Sequence, residues 1–162
     1  MKTKSLAVLL MLFLLTACSS DSVEVELTDP GFGFTWKQIS AEPAGFDVPI
    51  HLKYPEPMKG IQFTLVWDPS EGMVGEPVLR EPNQSFSLSV NKKTPGRMKV
   101  LIYSMTSETF DLSSSHIMDL PVSILSREVQ QFKLMFEDAI FAGPQAAAYT
   151  LPISHGQFEV LR

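Results

Sequence analysis

The side chains best suited to covalent or metal chemistry in this chain are few. They are one thiol, Cys18, three imidazoles, His51, His116 and His155, and the adjacent pairs Ser115-His116 and Glu137-Asp138. A single cysteine forms neither an intrachain disulfide nor a thiolate metal cluster. The histidines show no His-x-His or His-x-x-x-His spacing, so a zinc site exists only if the fold gathers them. Ser115-His116 lacks the Gly-x-Ser-x-Gly elbow of a hydrolase and reads as a polar loop before a strand. Glu137 and Asp138 are neighbours in a strand pattern. They point to opposite faces and cannot flank one glycosidic bond. Gly31-Phe32-Gly33-Phe34 is no phosphate cradle but a strand entry beside aromatic packing. The expectation is a chain with no catalytic residues, no metal and no cofactor.

Cys18 sits at a more telling place. Lys2 and Lys4 precede an apolar run from Leu6 to Leu15, and Leu15-Thr16-Ala17-Cys18 closes it with small residues. Charged, apolar and small in that order is an export signal. The run is far short of the roughly 20 apolar residues that a bilayer core requires. The four residues ending at Cys18 resemble the lipobox of bacterial lipoproteins. That resemblance implies cleavage before Cys18, a diacylglyceryl group on its sulfur and acylation of the new terminus. Several acyl chains at one end hold a protein firmly, whereas one alone binds marginally. Ser19, in place of Asp, implies the outer membrane rather than the inner one by the same resemblance. The expected organisation is a signal over 1–17, a lipidated tether over 18–30 and one domain over 31–162.

Charge narrows the partners. The whole chain carries −5; losing Lys2 and Lys4 leaves eleven basic and eighteen acidic residues, or −7. That argues against nucleic acid and against an electrostatic hold on anionic lipid. The 145 residues left when 17 are removed from 162 suit a single core.

The elements that would position any site are strands. Phe46, Val48, Ile50, Leu52 and Tyr54 alternate with other residues, as do Ile61, Phe63, Leu65 and Trp67. Period two puts each set on one strand face. Further strands are expected around Phe32-Phe34-Trp36, Phe86-Leu88-Val90, Met98 to Ser104, Met118 to Ile124, Phe132-Leu134-Phe136, Tyr149-Leu151-Ile153 and Phe158-Val160. Turn residues separate them, as at Pro55-Glu56-Pro57, Asp68-Pro69 and Gly143-Pro144. Pro49, Pro121 and Pro152 mark edge or bulged strands, because proline lacks the ladder donor. A helical turn fits only 126–132. Many short strands at near-regular spacing make an all-β sandwich.

The order of pieces resembles a cohesin domain. The resemblance rests on Val48-Pro49-Ile50, on Gly60 through Pro69 with its Trp67-Asp68-Pro69 corner, on Met98 to Ser104, on Met118 to Ile124, on Phe136 to Phe141 and on Gly156 to Val160. It implies a β-sandwich of about nine strands with jelly-roll connections and a binding function. Two stretches depart from the family pattern. Ser115-His116 stand where glycine is usual, and Gly60 and Gln62 stand where dockerin-binding members often carry Asn and Asp. In the corner, Asp68 is expected to accept backbone donors, a structural role.

The expected function is a membrane-anchored, non-catalytic module that binds a protein partner at the cell envelope. Direct polysaccharide binding and a structural role in an envelope assembly are the alternatives. Trp36, Tyr54, Trp67, Tyr103 and Tyr149 are the aromatics available for sugar stacking, although the alternation assigns Trp36 and Trp67 to core. Gln62, Thr64 and Val66 alternate against the core set of their strand. The strand from Met98 is apolar on both faces, with Val100 and Ile102 on one side and Leu101 and Tyr103 on the other. Either it is covered on both faces or one face docks a partner; periodicity does not choose. The cohesin resemblance places Val100 and Ile102 beside Gln62, giving Gln62, Thr64, Val66, Val100 and Ile102 as the expected partner-facing patch.

Overall fold

The computed structural model describes Leu27 and residues 30–34, 38–40, 45–106, 108–126 and 128–161. Cys18, Trp36 and nearly all of the expected tether lie outside the described residues. Leu27 is buried, so packing reaches back into the stretch assigned to the tether.

Two sheets face each other. One contains β1 (Gly31–Phe34), β3 (Phe46–Lys53), β5 (Gly72–Val74), β6 (Val78–Leu79), β9 (His116–Ile124) and β12 (Ile153–Ser154). The other contains β2 (Gln38–Ser40), β4 (Gly60–Val66), β7 (Ser87–Asn91), β8 (Arg97–Tyr103), β10 (Gln131–Ala142), β11 (Ala148–Tyr149) and β13 (Gly156–Leu161). The first runs β12-β1-β3-β9-β5, with β6 also on β9; the second runs β2-β13-β10-β4-β8-β7, with β11 on β10. Nine of the twelve connections between successive described strands cross from one sheet to the other, which is the winding of a jelly roll. Among the described residues eight strands have four or more residues and five have two or three, against the nine expected. The expected turn near 126–132 is a single reverse turn, closed by Val129 N–H on the Ser126 carbonyl.

The alternation that defines these strands also fills the core. Val48, Ile50 and Leu52 of β3 face Ile61, Phe63 and Leu65 of β4, and all six are buried. Phe32 of β1 reaches across to the opposite sheet. Its ring centroid lies 5.4 Å from that of Phe63, 4.8 Å from Phe136 and 5.2 Å from Phe141. Tilted and edge-on pairs at such spacings add to area burial.

Of the two settings expected for Pro49 and Pro121, edge or bulged strands, the second is found: β3 and β9 pair with a register shift between Ile50 and His51. Both prolines stand in interior strands, where Pro49 pairs with Asp119 and Pro121 with Asp47. Each falls where a neighbouring ladder stops. The β1–β3 rungs end at Phe34–Ile50, and Pro121 occupies the gap between the rungs of β5 and those of β6 on β9. A missing donor costs little where no acceptor is waiting.

The corner after β4 is structural, as its residues dictate. Asp68 Oδ1 accepts the Ser70 amide at 2.8 Å and the Ser70 hydroxyl at 2.6 Å. These bonds favour the ionised form and lower the Asp68 pKa. Trp67 donates its indole N–H to the Gly72 carbonyl at 3.1 Å and packs half-buried against the core. Gly96 closes the corner at φ 70°, accepting the Trp67 amide. A Cβ there would lie 2.5 Å from the Trp67 carbonyl oxygen.

Candidate functional site

The outer face of the seven-stranded sheet is assembled by register. In the β4–β8 ladder Gln62 stands opposite Leu101, Thr64 opposite Lys99, Val66 opposite Arg97 and Gly60 opposite Tyr103. On the other side of β4, Met135 meets Val66, Glu137 meets Thr64, Ile140 meets Gln62 and Ala142 meets Gly60. Directly paired residues share a face. One cross-strand row therefore reads Ile140, Gln62, Leu101, and the next reads Ala142, Gly60, Tyr103.

The register corrects two members of the expected patch. Val100 pairs with Phe63 and Ile102 with Ile61, so both point into the core and both are 0 % exposed. Leu101 and Tyr103, at 38 % and 36 %, occupy the outer face in their place. Gln62, Thr64 and Val66 do lie on the outer face, although Thr64 is covered by its neighbours and only 7 % exposed.

Eight large apolar side chains are exposed among the described residues. Four of them, Leu101, Tyr103, Met135 and Ile140, surround Gln62 and Val66 on this face. A bulge between Glu137 and Ile140 makes the last of these possible. Asp138 takes φ 50° there, and the strand resumes with Ile140 outward. Arg97 and Glu137 form an ion pair across the face. Gly60 leaves a dip between Ala142 and Tyr103. A Cβ at Gly60 would meet its neighbours only at 3.4–4.0 Å, so the fold does not require glycine there.

The histidines are arranged otherwise than their spacing indicates. His51 and His116 come together on the six-stranded sheet, with ring centroids 5.3 Å apart. His51 Nδ1 bonds the Ser115 hydroxyl at 3.0 Å, and His116 Nε2 bonds Asp119 at 2.8 Å. Asp119 also pairs with Arg80. Burial, then the facing His116 and Lys53, lower the His51 pKa to about 4. That makes His51 a weak base, and the carboxylate of the cluster binds the other ring. The Ser115–His51 pair therefore lacks the oriented base of a hydrolase. No group of three or more His, Cys, Asp or Glu among the described residues is placed to hold a metal. His155 stands apart, accepting the Phe136 amide on Nδ1 at 3.0 Å, just past the last β10–β13 rung.

The candidate aromatics among the described residues do not form one platform. Tyr54 and Tyr149 lie 4.8 Å apart and pack half-buried on the core, and Trp67 is at the far end of β4 from the row that holds Tyr103.

The chain is a two-sheet jelly-roll sandwich whose seven-stranded sheet exposes Leu101, Tyr103, Met135 and Ile140 on its outer face. The fold is cohesin-like. The sixth cohesin of scaffoldin B from Acetivibrio cellulolyticus, solved in complex with a Cel5 dockerin mutant, aligns at TM-score 0.69 and 16 % identity, covering 83 % of this chain and 100 % of that one. A type I cohesin–dockerin complex from Clostridium thermocellum, Coh-OlpA-Doc918, gives TM-score 0.62 and 19 % identity over 84 % and 100 %. The cohesin module of a family 33 glycoside hydrolase from Clostridium perfringens gives 0.59 and 12 % over 86 % and 97 %. No family model and no curated protein sequence matches the chain.

Proposed function

We propose that this chain is a lipid-anchored, non-catalytic module that binds a protein partner at the outer membrane. The observation that carries the binding part is the exposed apolar group of Leu101, Tyr103 and Ile140 around Gln62 and Gly60, with Met135 beyond the Glu137–Thr64–Lys99 row on the same sheet face. Exposed apolar side chains gathered on one face mark partner sites. The cohesins solved with dockerins make a dockerin-like protein the partner class to try first.

The test is capture of partner from envelope extract, and of purified dockerin modules, by the wild-type chain and by Leu101→Lys with Ile140→Lys. The double variant is expected to lose capture at an unchanged melting temperature. Gly60→Arg, which fills the dip without crowding the backbone, is expected to do the same. A folded double variant that keeps its partner moves the site elsewhere. Retention of the wild type in a polysaccharide gel, with no protein captured, replaces the partner with a glycan.

Anchoring is read from Leu15 to Cys18 and is tested separately. Cys18→Ser is expected to abolish incorporation of a fatty-acid probe and to leave the chain unprocessed or free of membranes. Equal labelling of wild type and variant rejects the anchor.

A further inference from the structure

We propose that the His51–His116 pair is a proton-operated latch that fastens the Ser115 segment to the end of β3. The latch lies on the sheet opposite the partner-facing surface. The β3–β9 ladder runs regularly from Phe46–Val122 to Ile50–Met118; then its register shifts, so that His51 faces His116. Ile117 is the extra residue and is fully buried, which fixes the bulge. The shift turns both imidazoles onto one outer side, tilted by 28°.

Three backbone segments meet there. The Leu52 amide bonds the Ser115 carbonyl at 2.8 Å, and the Arg80 amide bonds the Ile117 carbonyl at 2.9 Å. The Ser115 side chain adds its bond to His51, and Asp119 joins His116 to Arg80. The charged groups facing His51 are His116 and Asp119 from β9 and Lys53 from its own strand, with Arg80 joined through Asp119. From β1 it meets Gly33, which brings no charge. The one carboxylate is already shared by His116 and Arg80. A proton on His51 therefore has no counter-ion of its own and faces a second imidazole. Separating Ser115 and His116 from β3 relieves both conflicts.

The direction in pH follows. His51 binds its proton less readily in the closed form, near 4, than at its ordinary 6.5. The latch is at full strength above 6.5, weakens as pH falls from there to about 4, and changes no further below. Two exchange measurements on the full chain in detergent test it. Exchange at the imidazole C2–H gives the His51 titration, and amide protection factors give the latch. Protection around Leu52 is expected to fall about tenfold or more between neutral pH and 4, while the β4–β8 ladder stays protected. His51→Gln is expected to flatten that fall, and His116→Gln to raise the His51 midpoint. A His51 midpoint at its ordinary value, or an equal loss of protection in His51→Gln, overturns the latch. Partner capture enters neither readout.

Discussion

Replacing Phe63 by alanine is expected to lower stability by about 3–5 kcal/mol. The ring is fully buried, and its centroid lies 5.4 Å from Phe32 and 5.3 Å from Phe136. Those partners come from different sheets, so truncation opens a void at the seam between them. Neither β1 nor β10 is free to close in, because each is held by strands on both sides. Guanidinium unfolding should show a lower midpoint with an unchanged slope, the mark of lost stability without a change in exposed surface. A loss under about 1 kcal/mol would mean that the ring is not a core element.

Neighbouring lysine substitutions on β8 should diverge sharply. Ile102→Lys would drive an ammonium group between the sheets, opposite Ile61 and with no carboxylate in the core cluster to receive it. An uncompensated buried charge costs several kcal/mol, on the order of 3–5. Little cooperative folding should remain. Leu101→Lys, one residue earlier, places the same charge on the outer face and should change stability by no more than about 0.5 kcal/mol. Thermal melts of the two variants check the pair. The reverse outcome would mean that β8 presents its other side to the core.

The contrast also explains what was legible in the sequence. β3 and β4 could be read because apolar residues alternate with polar ones, and the side that became core was the only wholly apolar side. In β8 the alternation is of apolar with apolar. Leu101 and Tyr103 are as greasy as Val100 and Ile102, so the strand was visible and its facing was not. Only the rungs Phe63–Val100 and Ile61–Ile102 settle it. β5 and β6 went unread for a related reason. They are three and two residues long, and they turn Met73 and Val78 outward. The histidine cluster left no trace in spacing, since a cross-strand pairing and a one-residue register shift create it. The Trp67-Asp68-Pro69 corner was legible because its chemistry is local: Asp68 reaches only as far as Ser70.

The sheet borders bear on how such modules behave when crowded. The outermost strands are β2 with three residues, β12 with two, the broken pair β5 and β6, and β7, whose sequence is Ser-Leu-Ser-Val-Asn. The hairpin beyond β7 carries Lys92 and Lys93. Short, interrupted, polar and lysine-flanked borders are poor templates for strand addition. Among the described residues, copies packed side by side have little means of zipping into a common sheet, and an extended peptide finds no long rail to extend. The flat of the sheet, where side chains rather than main-chain groups meet a neighbour, is the broad surface these borders leave open.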